Sequence, residues 1–400
     1  MILDDNTSLL IEYLSKLDDP RKDKGKRYKL KDLILLTLYA SLSGQFTSID
    51  IVDFVEDTFD YFHELIGLKS VPSHDTFSRI MRLIDYNQLA NVLGEWLSEC
   101  YPELKLKIND KEILHIDGKA IKAAAKKSAG EKPVYLFNAM YEGGSISLET
   151  VQIGDKENEI SSIKEILDLF NIEDTIVTVD AIGCNNTVIN EIVSRKGSYL
   201  IPVKDNAKKL KNAIKEEIVR LKSTLLKKDK TKSLYDILDK TVYQTSSHGR
   251  EETYKAALLT DTAFIYEKFG TSGYYGTIGR IMVIEKETKY KDQGKEKVDK
   301  TITYSITDLE SINVKDLLRV KLSHWNIEAQ HWLLDVQLNE DRYTARKENA
   351  IVNGSILKRF CMRIKKEYCK DAKTSLHRFT TKNTRKIERI TELLFKDIAK

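Results

Sequence analysis

The chain has few cysteines, which form disulfides in small secreted proteins, and few prolines and glycines, which are common in disordered segments. It has only four cysteines, and Cys100, Cys184, Cys361 and Cys369 form no Cys-x-x-Cys pair and have no regular spacing. This argues against a disulfide framework or a zinc knuckle and is typical of reduced thiols. Five prolines and eighteen glycines are too few for long disordered linkers.

The sequence also has no long hydrophobic run. A membrane-spanning helix needs about 20 consecutive apolar residues, and no segment reaches that length. The start is not typical of a secretory signal peptide, because Asp4 and Asp5 follow the first three residues directly. We therefore expect a cytoplasmic protein without a membrane partner.

Net charge is small overall, but basic residues are concentrated locally. The formal net charge is only +4, with 41% apolar and 32% charged residues, as in ordinary globular proteins. Residues 356–389 hold twelve Lys or Arg against three acids, and residues 21–31 hold seven against one. This asymmetry indicates a polyanion partner at particular faces. A chain of 400 residues also exceeds one typical core, so we expect two or three domains.

Residues 8–100 have the pattern of a helical domain. Residues 30–42 are apolar almost all round, which predicts a buried helix. Ser73 could cap a further helix whose first turn contains Asp75. Short helices joined by tight turns suit a helix-turn-helix DNA binder with residues 74–82 as the reading helix. A plain helical bundle is an equally good interpretation.

After residue 106 the pattern changes to strands alternating with helices. The order is three strands, then helix, strand, helix, strand and helix, with a turn at Gly143 and Gly144 between the second and third strands. Two apolar strands end in Asp117 and Asp180. Ligands gather at the carboxyl ends of strands in open α/β sheets, so both carboxylates are candidate ligands. Alternatively, both could be strand-end caps that make turn hydrogen bonds.

A β-rich region precedes the last helices. Residues 231–305 carry β-prone runs and few helical signals. The charge-dense stretch at 285–300, with Gly294 inside, is typical of a solvated hairpin tip. We interpret this region as a β insertion that does not enter the main sheet.

One segment near the carboxyl end places imidazoles and carboxylates on a single helical stripe. At 100° per residue the stripe consists of His324, Glu328, His331 and Asp335. Trp325 and Trp332 border it, and we expect them to pack as bulky side chains. A solvated face is the simplest interpretation. Zinc binding is disfavoured, because the spacing is His-x3-Glu-x2-His and no third ligand cluster is evident.

Taken in order, these segments resemble DDE transposases of the ISAs type, also called H-repeat-associated proteins. The matching motifs are Asp-Pro-Arg at 19–21, Pro-Ser-His-Asp-Thr-Phe at 72–77, His-Ile-Asp-Gly-Lys at 115–119, Lys-Glu-Asn-Glu-Ile at 156–160, Thr-Val-Asp-Ala at 178–181, the segments 199–206 and 324–341, and His-Gly-Arg at 248–250. The chain departs from the family at Ala329-Gln330, at Lys204-Asp205-Asn206-Ala207 and at Tyr254. None of these departures touches the residues that would be catalytic.

The resemblance implies an α/β fold, in which an RNase H-like mixed sheet is flanked by helices. It implies an insertion-sequence transposase that hydrolyses phosphodiesters and transfers strands at element ends. The implied catalytic and metal-binding residues are Asp117, Asp180 and Glu328. Two Mg²⁺ ions would be the cofactor, with Mn²⁺ as a substitute, and double-stranded DNA the partner of a homodimer near the nucleoid. A catalytically silent or domesticated DNA-binding protein and an RNase H-type nuclease are the alternatives.

The implied domains follow the pattern changes. We expect a helical DNA-binding domain at 1–105, a catalytic core at 106–230 and 306–350, the β insertion at 231–305 between its parts, and a basic helical region at 351–400. Residues outside the triad could contact DNA, although surface solvation explains a single lysine equally well. The candidates are Lys119, Lys204, Asn206, His324, His331, Lys358, Arg359, Arg363 and Arg378. The two histidines could instead brace Glu328, and Asp335 could pair with a basic residue.

Overall fold

The computed structural model describes residues 5–101, 106–121, 134–142, 145–153, 159–228, 238–247, 250–292, 295–340, 349–376, 378–379 and 387–394. The expected turn at Gly143 and Gly144, and parts of the motifs at 156–160, 248–250 and 324–341, lie outside these ranges. Within the described ranges, each helix is too short or too polar to cross a membrane.

The amino-terminal region is helical, as expected. Its helices are α1 (Asp5–Ser15), α2 (Leu30–Leu42), α3 (Ser48–Asp57), α4 (Phe59–Ile66), α5 (His74–Leu83) and α6 (Tyr86–Cys100). Nearly every residue of α2 is buried, which its apolar sequence predicts. Ser73 takes the N-cap position of α5, as expected. Its hydroxyl lies 3.1 Å from the Thr76 hydroxyl and makes no capping bond to the backbone.

Two later helices complete this bundle. They are α13 (Ala350–Asp371) and α14 (Ile387–Leu394), and both supply buried apolar side chains to the core formed by α2 and α6. The Phe360 ring lies 5.5 Å from the Trp96 ring. Asn353 Nδ2 donates to the carbonyls of Met81 and Ile84 at 2.9 and 3.0 Å. The basic carboxyl region, expected as a DNA-binding surface, therefore contributes much of its length to a core.

The rest of the described chain forms one mixed sheet. Its ten strands are β1 (Lys107–Ile108), β2 (Lys111–Ile121), β3 (Val134–Tyr141), β4 (Ser145–Ile153), β5 (Thr175–Val179), β6 (Ser198–Val203), β7 (Asp239–Ser247), β8 (Arg250–Leu259), β9 (Arg280–Asp292) and β10 (Lys295–Thr307). Nine follow the order β4-β3-β2-β5-β6-β10-β9-β8-β7, and β1 pairs with β2. Only β2, β5 and β6 pair in parallel; the other pairs are antiparallel.

Helices cover this sheet. They are α7 (Glu159–Asp168), α8 (Asn186–Ser194), α9 (Lys208–Lys228), α10 (Ala263–Phe269), α11 (Val314–Ser323) and α12 (Trp325–Leu338). The expected order of strands and helices up to α9 is confirmed, as is the class of a mixed α/β sheet with a helical amino-terminal region. The helix α10 was not expected within the β-rich region.

The β-rich insertion belongs to the sheet, and the expectation that it stays outside was wrong. Strand β10 runs antiparallel to β6, from Tyr304 opposite Val203 to Thr307 opposite Leu200. Tyr304 and Ile306 are buried in the same apolar core as Val203. Strand β5 pairs with one edge of β6. Strand β10 pairs with the other edge, whose backbone donors and acceptors would otherwise lack strand partners.

Candidate active site

Two aspartates lie side by side because of the register between parallel strands. Ile116 of β2 is opposite Val179 of β5, so Asp117 and Asp180 each follow the last matched pair. Strand β5 ends there, since Asp180 precedes a short 3-10 turn. Strand β2 continues to Ile121 alongside β3, so Asp117 lies inside its strand and not at its end as expected.

The Asp180 carboxylate is held by a lysine. Lys204 Nζ donates to Asp180 Oδ1 at 2.8 Å, and both side chains are more than half exposed. Burial favours a raised pKa for Asp180, but the hydrogen bonds from Lys204 and the backbone of Ala181 outweigh it and lower the pKa. Asn206 stabilises the same turn, because its Nδ2 donates to the Ala181 carbonyl at 2.5 Å. Asp180 is therefore ionised at neutral pH.

Asp117 is braced from α12. His331 Nδ1 lies 3.3 Å from Asp117 Oδ2. The other ring nitrogen, Nε2, lies 3.3 Å from Asn138 Nδ2, and Asn138 is the strand partner of Asp117. His331 was expected to contact phosphate or to brace Glu328; in the structure it contacts the first aspartate instead.

Glu328 lies in the first turn of α12 and is exposed. Partial burial raises its pKa, and the negative charges of Asp117 and Asp180 raise it further. The charges of Asp117 and Asp180 therefore act on Glu328. Among the described residues, no group of three or more His, Cys, Asp or Glu side chains is already arranged around a metal position. The donor set nevertheless suits a hard divalent cation, since it offers carboxylate oxygens that repel one another.

A chain of buried polar groups lies beneath these carboxylates. His324 Nδ1 is 2.8 Å from the Thr178 hydroxyl, which is 2.7 Å from His115 Nδ1. His115 Nε2 in turn lies 3.1 Å from Glu142 Oε2. Burial lowers the pKa of His324 to about 4, with a further contribution from Lys321. In this structure His324 is buried and its ring contacts Thr178, and its expected contact with DNA phosphate stays a prediction.

Sequence reasoning missed most of this buried chain. His115 and Thr178 were noted only as parts of motifs, and Glu142 only as part of a turn. Their alternation with apolar residues on β2 and β5 resembled ordinary strand packing. The side chains that face one another across two strands become visible only once the β2–β5 register is known.

Three of the cations expected at DNA are buried. Lys119 is 7% exposed, and Lys358 and Arg359 are each 1% exposed. Lys119 forms ion pairs with Asp335 and Glu340, so Asp335 does pair with a basic residue. In this structure these three side chains are not available to DNA phosphates, because they are buried. 

The other two basic residues of the carboxyl region differ from each other. Arg363 is mostly buried, and its NH2 lies 3.5 Å from Glu367 Oε1. Arg378 is exposed. Of the cations expected at DNA, Lys204 and Arg378 are thus the ones with open access to solvent.

The tryptophans beside Glu328 point to solvent. Trp325 is 59% exposed and Trp332 is 60% exposed, so the expectation that they pack as core residues was wrong. They stand three residues before and four residues after Glu328, on the same side of α12. Lys286 Nζ lies 5.3 Å from the centre of the Trp325 ring. Exposed indole rings therefore border the third carboxylate.

Comparisons with known proteins cover both regions of the chain. Residues 11–97 match the family model described as DDE_Tnp_1-associated, and residues 108–364 match the one described as Transposase DDE domain. The chain is 28% identical over 372 residues to "Putative transposase YncI" of Escherichia coli O157:H7, covering 92% of this chain and 90% of that protein. It is 28% identical over 348 residues to "H repeat-associated putative transposase YhhI" of Escherichia coli (strain K12), covering 85% and 86%.

The second match extends over more than half of the chain and includes strands β2 to β10. Asp117, Asp180 and Glu328 all fall inside it. The match implies that the mixed sheet is RNase H-like. The chain belongs to the family of DDE transposases, together with the H repeat-associated transposases.

Proposed function

We propose that this protein is an insertion-sequence transposase that cleaves and joins phosphodiester bonds at element ends, with Asp117, Asp180 and Glu328 as its catalytic and metal-binding residues. The supporting observation is the parallel register of β2 and β5, which sets Asp117 beside Asp180, within a region that matches the transposase family. The charges of both aspartates also help to raise the pKa of Glu328. Carboxylates that repel one another are stabilised when a cation lies between them.

The proposed cofactor is a pair of Mg²⁺ ions, for which Mn²⁺ could substitute. When bound, such ions neutralise charge on the scissile phosphate and activate the attacking oxygen. Asp117, Asp180 and Glu328 would hold these ions through their carboxylate oxygens. His331 and Asn138 would keep the Asp117 carboxylate oriented, and Lys204 would keep Asp180 ionised until substrate arrives.

Binding to double-stranded DNA would use the exposed groups around these carboxylates. Lys204 and Arg378 are exposed cations that can neutralise phosphates. Trp325 and Trp332 offer flat apolar faces on which bases could stack. Helix α5 exposes His74 and is our candidate for reading base edges. Two copies would pair the two element ends on DNA, close to the nucleoid.

The structure also suggests how the expected domains should be divided. We propose a helical unit in which residues 1–105 are completed by 351–400, because α13 and α14 share its core. The catalytic unit would then comprise residues 106–350, including the β insertion, because β10 pairs with β6.

The assignment of the triad can be tested with Asp117→Asn. Duplex oligonucleotides carrying the sequences that flank the gene would be incubated with the protein and Mg²⁺. Loss of a group that merely orients a metal ligand costs about 10- to 100-fold, so loss of a ligand should slow cleavage by more than about 100-fold. Binding of the same duplexes, measured by fluorescence anisotropy without metal, should persist.

Asp205→Asn is the matched control. Asp205 is an exposed aspartate beside the same strand ends, where it pairs with Lys211 at 2.8 Å. This variant removes one charge and should cleave like the wild type. Normal cleavage by Asp117→Asn would refute the triad. Binding without cleavage by the wild-type protein would favour a silent DNA-binding protein, and cleavage without any preference for the flanking sequences would favour a general nuclease.

A further inference from the structure

Lys119 connects the strand of the first catalytic aspartate to the helix of the glutamate. It stands two residues after Asp117, on the same face of β2. Its ammonium group donates to Asp335 Oδ1 and to Glu340 Oε2 at 2.5 Å each, and to the His331 carbonyl at 3.4 Å. One buried side chain of β2 therefore contacts α12 in its middle, near its end and just beyond it.

Glu340 extends this network to α13. It is 1% exposed and accepts hydrogen bonds from Lys119 and from the Ser355 hydroxyl. Arg359 NH2 lies 4.0 Å from Glu340 Oε1, and the guanidinium nitrogens of Arg359 have no hydrogen-bond partner within the described structure. Burial favours a raised pKa for Glu340, but Arg359 and Lys119 together lower it to about 2. Glu340 is thus a buried carboxylate whose charge is balanced from two elements.

Three apolar side chains of α12 are fully buried, namely Ile327, Leu334 and Leu338. Leu334 and Leu338 form a small cluster with Met362, which is separate from the three larger cores of the described structure. On the opposite side Trp325, Trp332 and Val336 are exposed. A helix with so little buried apolar surface depends more than most on polar contacts for its position.

We infer that Lys119 is a positioning residue, which holds α12 against β2 through Asp335 and Glu340 so that Glu328 faces Asp117. The inference rests on the proposed function, because it presumes that these two carboxylates act on one metal site. Lys119 does not touch substrate or metal in this role. It acts by fixing the distance between the two elements that carry the ligands.

The experiment compares Lys119→Met, Lys119→Arg and the double variant Lys119→Met/Asp335→Leu in the full-length protein. Three measurements are made on each: the thermal unfolding midpoint, binding of Mn²⁺ followed by loss of the free-ion electron paramagnetic resonance signal, and Mn²⁺-dependent cleavage of duplexes carrying the flanking sequences. Lys111→Met is the matched control. Lys111 begins the same strand and pairs with Asp174 at 3.1 Å, away from α12.

Lys119→Met should weaken Mn²⁺ binding by about 10- to 100-fold and slow cleavage at fixed Mn²⁺, as loss of a group that orients a metal ligand does. Lys119→Arg keeps the charge and should recover most of the affinity. The double variant removes Lys119 together with the Asp335 carboxylate that pairs with it, while Glu340 keeps Arg359 as its counter-charge. Its unfolding midpoint should therefore return towards that of the wild type while its Mn²⁺ affinity stays low. This separation distinguishes positioning from a merely structural role, and it holds even if Lys119→Met alone does not fold.

Two results would overturn the inference. One is a folded Lys119→Met protein with wild-type Mn²⁺ affinity and cleavage. The other is a double variant in which affinity recovers together with stability, since apolar packing would then suffice. If the wild-type protein itself neither binds Mn²⁺ nor cleaves, the proposed function fails, which is a different result from wild-type activity that Lys119→Met leaves unchanged.

Discussion

The hydroxyl of Thr178 should be worth more to this protein than its size suggests. It is the one bridge between His115 Nδ1 and His324 Nδ1, at 2.7 and 2.8 Å, and all three residues are buried. Thr178→Val keeps the shape and removes the bridge. A buried polar group that loses its partner costs about 1–3 kcal/mol, so two such groups should cost about 2–6 kcal/mol.

Thr37→Val is the matched comparison. Thr37 is as buried as Thr178, but its hydroxyl donates to the Leu33 carbonyl one turn earlier in the same helix, at 2.8 Å. Such local bonds contribute little to stability. Thermal unfolding should therefore show a midpoint lower by about 2–7 °C for Thr178→Val and little change for Thr37→Val.

Cleavage should fall as well, because α12 begins directly after His324 and carries Glu328 one turn later. The reasoning would be refuted if Thr178→Val and Thr37→Val unfolded at the same temperature. It would also be refuted in part if Thr178→Val were destabilised but cleaved at the wild-type rate, since the buried chain would then have no influence on the position of α12.

Three further predictions follow from groups already described. The pKa of His324 is lowered to about 4, so at acidic pH the unfolded chain binds a proton that the folded chain does not. The free energy of unfolding should therefore decrease by up to about 1.4 kcal/mol per pH unit as pH falls from 6.5 towards 4. Urea unfolding at pH 7.0 and 5.5 should show a smaller loss of stability for His324→Gln than for the wild type. Trp332→Ala should leave the unfolding midpoint nearly unchanged, because the ring is exposed, yet weaken binding of single-stranded or end DNA by about 1–3 kcal/mol in a titration. Arg378→Ala should lower the slope of log affinity against log salt by about one unit, and an unchanged slope would remove Arg378 from the DNA-binding surface.

The sequence predicted those helices and strands whose burial follows from their own apolar residues. The apolar run of α2 gave its bounds, because a helix that is buried on nearly all sides needs apolar residues throughout its length. The sequence also predicted that Asp117 and Asp180 belong to one site, because each comes directly after an apolar run. These runs lie in neighbouring parallel strands.

Contacts between distant segments were not accessible in this way. Nothing in the sequence of β10 specifies β6 as its partner, and nothing in the basic sequence of α13 shows that Lys358 and Arg359 are buried. The same holds for Trp325 and Trp332, whose apolar character predicts burial although the structure exposes them. In each case, whether a side chain is buried or exposed depends on which other part of the protein packs against its segment. The hydrophobic pattern of the segment itself does not specify that partner.

The bundle of α1 to α6 is completed only by segments that lie far later in the chain. Asn353 donates to the Met81 carbonyl across 272 residues, and Tyr39 is hydrogen-bonded to Thr391 across 352. At about 5–20 residues per second, the ribosome would deliver Asn353 roughly 15 to 50 seconds after Met81. During that interval the apolar α2 has no carboxyl-terminal partner and is a target for chaperones. A gene interrupted before the codons of α13 would therefore yield a chain in which α1 to α6 lack the helices that complete their core.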